Sequence, residues 1–173
     1  EEYCAPAFYL TPPLDDTDCN VIYINQKNSP DGLELFTTLA HEGYPGHLYQ
    51  TVYFQLYSQK KDLPYIRHLM NYNGYVEGWA LYTEFLSYDY AADLLVETTQ
   101  KEDYRLLYNI YATERRASLA LLSLLDIGIH YYGMDFDRVQ KLLYDHGITD
   151  EDTAREIFEY IVEEPCNYPK YYW

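Results

Sequence analysis

Residues 39–50 read LAHEGYPGHLYQ, and this stretch decides how the chain is organised. A His-Glu pair begins at His41, and His47 follows six positions later. In an undisturbed helix, residues four apart share a face, whereas residues six apart differ by about 240° around the axis. Pro45 lacks an N–H and clashes with the preceding turn, and Gly46 tolerates unusual backbone angles. The stretch therefore predicts a helix that bulges or breaks within it.

The break allows two interpretations. Two residues looped out of the helix would return His47 to the face of His41, as a pair of metal ligands requires. Alternatively, one helix ends, a Pro-Gly turn follows and another helix begins, with no chemistry attached. A zinc hydrolase needs imidazole ligands, a third ligand and a base for water, and that base is commonly the glutamate directly after the first histidine. Glu42 stands in that position.

Two later segments carry polar residues on otherwise apolar helical patterns. YVEGWALYTEFL places Glu77 and Glu84 seven positions apart, on one face. LLSLLDIGIHYYG places Asp126 and His130 four positions apart, also on one face. Carboxylates are costly to bury unless they are paired or bind a metal. These residues are candidates for a site, although a salt-bridged Glu77 and a structural Asp126–His130 hydrogen bond are the alternatives.

The composition excludes some functions. A net charge of −16 over 173 residues argues against a nucleic-acid partner, whose phosphates require a basic face. No apolar run reaches the roughly 18 residues of a membrane span. The three cysteines are scattered, which opposes a cysteine metal site. The 23 tyrosines are either a compositional habit or the lining of a substrate cleft.

The patterns predict a mainly helical, single domain over residues 1–173. Residues 1–28 contain several prolines and a β-branched segment, VIYIN, so they read as extended, with a small hairpin or edge strand. Residues 29–173 read as a helical core, interrupted near Pro45 and near residues 71–74.

Capping residues predict where helices begin. Ser29 is the predicted cap of the first helix. Asp135 is the predicted cap of the penultimate helix, and Thr149 or Asp150 that of the last.

HEGYPGH followed by EGWALYTE resembles the domain-of-unknown-function 885 family, bacterial proteins with a His-Glu-x-x-Pro-Gly-His motif. The similarity continues in order through PAFYLTPP, VIYIN, DIGIH and REIFEYIVEEPCNYPKYYW, and so covers most of the chain. The resemblance implies a helical, zincin-like metallopeptidase fold, of which this chain would be the C-terminal catalytic part of a larger protein. It also leans towards export or a cell-surface location, and it leaves the oligomeric state open.

The resemblance further implies a ligand set. One zinc ion would be held by His41, His47 and Glu77, with Glu42 as the general base. Glu84 is expected behind the ligands or along the cleft.

The resemblance also implies groups for the oxyanion of a tetrahedral intermediate. His130 and Tyr171 are the candidates, and Asp126 is expected behind the ligands or along the cleft. The CNY of the last segment departs from the pattern of the family, so Tyr168 and Tyr172 are alternatives to Tyr171.

The predicted function is zinc-dependent hydrolysis of a peptide, and the VIYIN strand could pair with an extended substrate. A non-catalytic helical scaffold or binding module without metal is the alternative, favoured by the six-residue spacing. A third possibility is a metal hydrolase that acts on another small amide.

Overall fold

The computed structural model describes residues 5–13, 15–25, 27 and 32–172, with the side chain of Tyr172 outside this description. The chain is mainly helical with a small antiparallel sheet near its start, which confirms the predicted fold class. The predicted cap Ser29 lies outside the described residues. Among the described residues, none of the helices is both long and apolar enough to cross a membrane.

The sheet is a pair of short strands, β1 (Ala7–Leu10) and β2 (Val21–Ile24). They run antiparallel, with Tyr9 opposite Ile22. The N–H of Asn25 donates to the carbonyl of Pro6 at 2.8 Å, so this pair is hydrogen-bonded. Because bonded and non-bonded pairs alternate along an antiparallel ladder, the N–H of Tyr9 points away from β2. The outer edge of β1 therefore carries an N–H that another group can accept.

The motif at residues 39–50 joins two helices. Helix α1 (Gly32–Glu42) ends at the His-Glu pair, and helix α2 (His47–Lys61) begins at the second histidine. Between them lies the Gly43–Gly46 turn, whose Tyr44–Pro45 peptide bond is cis. The predicted interruption is confirmed, and it takes the form of two helices rather than one bulged helix.

A short helix, α3 (Ile66–Leu69), precedes the long helix α4 (Asn73–Thr99). The chain is non-helical at residues 70–72, close to the predicted interruption. Helix α4 packs against both α1 and α2. Its buried face is rich in small residues, which allow helices to approach closely: Ala80, Thr83, Ser87, Ala91 and Ala92.

The chain divides into two compact units, residues 1–113 and 114–173. Helix α5 (Asp103–His130) contains the boundary. The prediction of a single domain stays a prediction, and each unit is described by itself. The candidate metal site lies in the first unit.

The second unit contains the end of α5, helix α6 (Phe136–Asp145), helix α7 (Glu151–Glu163) and a 3-10 turn (Pro169–Tyr172). Its core is formed by fully buried apolar side chains: Leu125, Val139, Leu143, Ala154 and Ile161. Burying a side chain of the size of leucine contributes roughly 1.5–3 kcal/mol.

The predicted caps of the last two helices are confirmed. Asp135 accepts a hydrogen bond from the N–H of Arg138 at 3.1 Å. Asp150, rather than Thr149, caps α7 by accepting from the N–H of Thr153 at 2.8 Å.

Candidate metal centre

Three side chains from three helices converge beside the Gly43–Gly46 turn. His41 ends α1, His47 begins α2, and Glu77 lies in the first turns of α4. The Oε2 atom of Glu77 lies 3.5 Å from the Nε2 atom of His41 and 3.5 Å from that of His47. The two imidazole rings meet edge to face, with centroids 4.8 Å apart. The Nε2 atoms of both histidines therefore face one carboxylate oxygen.

This spacing fits a tetrahedral zinc ion. Zinc binds imidazole nitrogen and carboxylate oxygen at about 2.0–2.2 Å, so two ligand atoms at the tetrahedral angle stand about 3.3–3.5 Å apart. The two distances from Glu77 match that separation. Glu42 belongs to the same cluster, because one ligand atom from each of His41, Glu42 and His47 lie within 4.8 Å of one another. The donor set of two imidazoles and a carboxylate also suits zinc chemically.

Gly46 makes this arrangement sterically possible. A Cβ atom built on Gly46 would lie 1.8 Å from the carbonyl oxygen of His41 and 2.4 Å from that of Ala40. Only glycine allows the backbone to approach so closely. The turn thus folds back on the end of α1, which brings the histidines together despite their six-residue spacing.

A second carboxylate orients His41 from behind. The Nδ1 atom of His41 lies 3.0 Å from the Oε2 atom of Glu84, whose side chain is only 7 % exposed. Since a carboxylate accepts, Nδ1–H is the donor, and the other ring nitrogen faces Glu77. Carboxylates in this position fix the tautomer and ring orientation of metal-binding histidines.

The electrostatics of the cluster favour a cation. Burial alone lowers the pKa of His41, but the carboxylates of Glu77, Glu84 and Glu42 outweigh burial and raise that pKa to about 9. At neutral pH, when no metal is bound, both nitrogens of the His41 imidazole therefore carry a proton and the ring is positively charged. A metal ion that binds here would displace the proton from Nε2, and the same carboxylates would stabilise its positive charge.

Glu42 is held by the sheet. Its Oε2 atom accepts the outward N–H of Tyr9 at 2.8 Å. The sequence pointed to VIYIN, which contains β2, as the strand beside the site, whereas the backbone group that reaches Glu42 belongs to β1. Backbone N–H groups carry no residue-specific signal, so sequence reasoning missed this contact.

Helix α4 also contacts the motif through two further side chains. The indole Nε1–H of Trp79 donates to the carbonyl oxygen of Pro45 at 2.8 Å. The hydroxyl of the buried Thr83 lies 3.3 Å from the carbonyl oxygen of Ala40, near the end of α1. Neither residue was singled out from the sequence. Both lie between Glu77 and Glu84, so one segment of α4 contacts the first motif repeatedly.

The second unit holds the other predicted pair. Asp126 is almost completely buried and accepts the N–H groups of Cys166 and Tyr168 at 3.0 and 3.3 Å. The Nε2 atom of His130 lies 2.8 Å from the carbonyl oxygen of Ile161, to which it donates. Asp126 and His130 come no closer than 3.9 Å, so the alternative of a structural hydrogen bond between them is not realised.

The candidate tyrosines lie in the closing segment of the second unit. The ammonium of Lys170 lies 5.1 Å from the ring centroid of Tyr171. Burial, together with the negative charge of Asp126 and the neighbouring Tyr160, raises the pKa of Tyr168. The oxyanion role of His130 and Tyr171 stays a prediction, as does the choice among Tyr168, Tyr171 and Tyr172.

Three of the tyrosines form a row along α2. Tyr49, Tyr53 and Tyr57 stack along α2, with successive ring centroids 5.9 and 6.4 Å apart. Tyr49 stands two residues after His47, about 200° further round the helix. This row of rings therefore follows the side of α2 away from His47.

The fold and the cluster define a mainly helical protein with a His-Glu-His group suited to a metal ion. Within this class, the chain belongs to the family described as bacterial protein of unknown function (DUF885), whose family model matches residues 1–173. No curated protein and no solved structure matches the chain.

Proposed function

We propose that this protein is a zinc-dependent peptidase, with His41, His47 and Glu77 as the zinc ligands. The observation that carries the proposal is the position of Glu77 Oε2, 3.5 Å from the Nε2 atoms of both histidines. Two imidazoles and a carboxylate, with the carboxylate oxygen at this separation from both Nε2 atoms, match the ligand set of a catalytic zinc site, in which a fourth position stays open.

The neighbouring residues supply the rest of the chemistry. A bound zinc ion would provide Lewis acidity, which polarises an amide carbonyl and activates water. Glu42 is the general base in this proposal. The Tyr9 N–H engages Oε2 of Glu42, so we expect Oε1 to take the proton of the attacking water and pass it to the leaving amine. Glu84 keeps His41 in the tautomer that presents Nε2 to the metal.

The substitution Glu42→Gln tests the proposal. It should abolish peptide hydrolysis, lowering the rate by at least about 100-fold, because the amide cannot accept the proton. Zinc content should stay at that of the wild type, since Glu42 is not a proposed ligand. Glu34→Gln, on the exposed side of the same helix, is the matched control and should keep both properties.

The readouts are the release of amines from a mixed peptide library and the zinc content by elemental mass spectrometry. Zinc binding with equal turnover in Glu42→Gln would remove Glu42 from the mechanism. A chain that binds no zinc and cleaves no peptide would favour the non-catalytic scaffold. Cleavage of small amides but not of peptides would favour the third possibility.

A further inference from the structure

Trp79 lies two residues after the proposed ligand Glu77, yet the proposed chemistry gives it no part. We infer that Trp79 is a positioning residue that holds His47 at the metal site by fixing the carbonyl of Pro45. This role rests on the proposed zinc site. Trp79 would not bind the metal itself but would act on His47 through the Gly43–Gly46 turn.

Backbone hydrogen bonds fasten the two ends of the turn: the N–H of Gly43 donates to the carbonyl of Leu39 at 2.9 Å, and the N–H of Gln50 donates to that of Gly46 at 3.0 Å. The residues at its centre add little to them. Pro45 has no N–H to donate, and Gly46 has no side chain. Gly46 is the N-cap of α2 and makes no side-chain capping bond. The backbone bond from the N–H of Tyr49 to the carbonyl of Gly43 is long, at 3.4 Å. The 2.8 Å bond from Trp79 to Pro45 therefore restrains the turn from outside.

The restraint acts where the ligand geometry is set. Glu77 and Trp79 stand on the same rigid helix, about 3 Å apart along its axis. One helix thus presents the third ligand and also holds the turn that leads directly into the second ligand, His47. A displacement of the turn along α4 would move His47 relative to Glu77. Metal sites require their ligands to be held within about 0.5 Å.

A substitution can remove the hydrogen bond and still leave an aromatic ring at this position. The Trp79 ring lies 6.3 Å from the ring of Tyr49 and 6.0 Å from that of Tyr82. Trp79→Phe keeps an aromatic ring among these neighbours and removes the N–H donor together with part of the indole ring. Tyr82→Phe, which changes a neighbouring exposed ring on the same helix, is the matched control.

Three measurements on the full 173-residue chain test the role. In Trp79→Phe, the dissociation constant for zinc should rise roughly 3- to 10-fold, as expected for the loss of one hydrogen bond. The visible absorption of the cobalt(II)-substituted protein, which reports ligand geometry, should also change. In the metal-free protein, the nuclear Overhauser contact between the rings of His41 and His47 should weaken. Tyr82→Phe should leave all three unchanged.

The outcomes separate this role from the proposed function. An unchanged contact between His41 and His47 in metal-free Trp79→Phe would overturn the role of Trp79, whether or not the protein binds zinc. Equal zinc affinity and an identical cobalt spectrum would overturn it too. A wild-type chain that takes up neither zinc nor cobalt would instead overturn the proposed function.

Discussion

Each unit of the molecule places a histidine near a buried or partly buried carboxylate, but the partners of these groups differ. In the first unit, Glu77 faces His41 and His47, so side chains from different helices converge on one point. In the second unit, Asp126 accepts two backbone N–H groups and His130 donates to a backbone carbonyl. The first arrangement brings side-chain nitrogen and oxygen atoms together, whereas in the second the side chains bond to backbone groups.

The difference teaches how a site can be told from a structural bond. A buried polar group must find partners in either case, because an unsatisfied one is costly. Backbone partners are part of the chain, so the bonds of Asp126 fasten the segment after α7. The carboxylates around His41 instead attract a positive charge, which a proton or a metal ion can supply. We therefore expect substitutions in the two units to affect different properties.

The largest expected effect is the loss of metal in His47→Ala. The wild-type chain should carry about one zinc ion and the variant almost none, because two protein ligands do not hold zinc tightly. Elemental mass spectrometry of protein purified without added metal gives the ratio. His146→Ala, which removes an exposed histidine of the second unit, should retain the zinc. Equal zinc content in the wild type and His47→Ala would show that His47 is not a ligand, and the proposed difference between the two units would be lost.

Gly46→Ala should cost both folding stability and zinc. The new methyl group would meet the carbonyl oxygens of His41 and Ala40, so the turn must open. We expect a loss of more than about 2 kcal/mol in the free energy of unfolding, measured by urea titration of the metal-free chain. Gly32→Ala is the control, because a Cβ atom there meets nothing within 4 Å. Equal stability of the two variants would contradict the close approach at Gly46.

The sequence predicted the parts of the molecule that local patterns control. Pro45 and Gly46 marked the end of α1, and the capping aspartates marked the starts of α6 and α7. The spacing of Glu77 and Glu84 placed both on one face of α4. Each of these predictions depends on residues that are neighbours within a turn or two of helix.

Contacts that depend on tertiary packing could not be read in the same way. His41 and Glu84 are 43 residues apart in the sequence. The way α1 packs on α4 decides which ring nitrogen of His41 meets Glu84. The bond from Tyr9 to Glu42 uses a backbone N–H, which any residue except proline would offer. For Asp126, the spacing to His130 suggested a side-chain partner, but the backbone after α7 comes closer.

Asp126→Asn should destabilise the second unit without affecting the metal. An amide can accept only one of the two N–H groups and turns its own NH₂ towards the other. Since hydrogen bonds to charged groups contribute about 1.5–3 kcal/mol each, a loss in that range is expected from urea titration. Asp145→Asn, an exposed change of the same charge in the same unit, should cost little. If Asp126→Asn lost its zinc while remaining folded, fastening the backbone would not be the whole role of Asp126.

The smallest expected effect in this comparison of the two units concerns Glu84, whose carboxylate meets a side chain rather than the backbone. Glu84→Ala should weaken zinc binding about 10- to 100-fold, because His41 would lose the group that fixes its tautomer. Glu84→Gln should lie between this variant and the wild type, since its amide oxygen still accepts from Nδ1–H but carries no charge. Competition with a chelator of known affinity measures the series, and Glu97→Ala on the same helix is the control. If Glu84→Ala instead left zinc affinity unchanged and lowered the free energy of unfolding, as Asp126→Asn does, Glu84 would stabilise the fold in the way that Asp126 does. Only the three proposed ligands would then distinguish the first unit from the second.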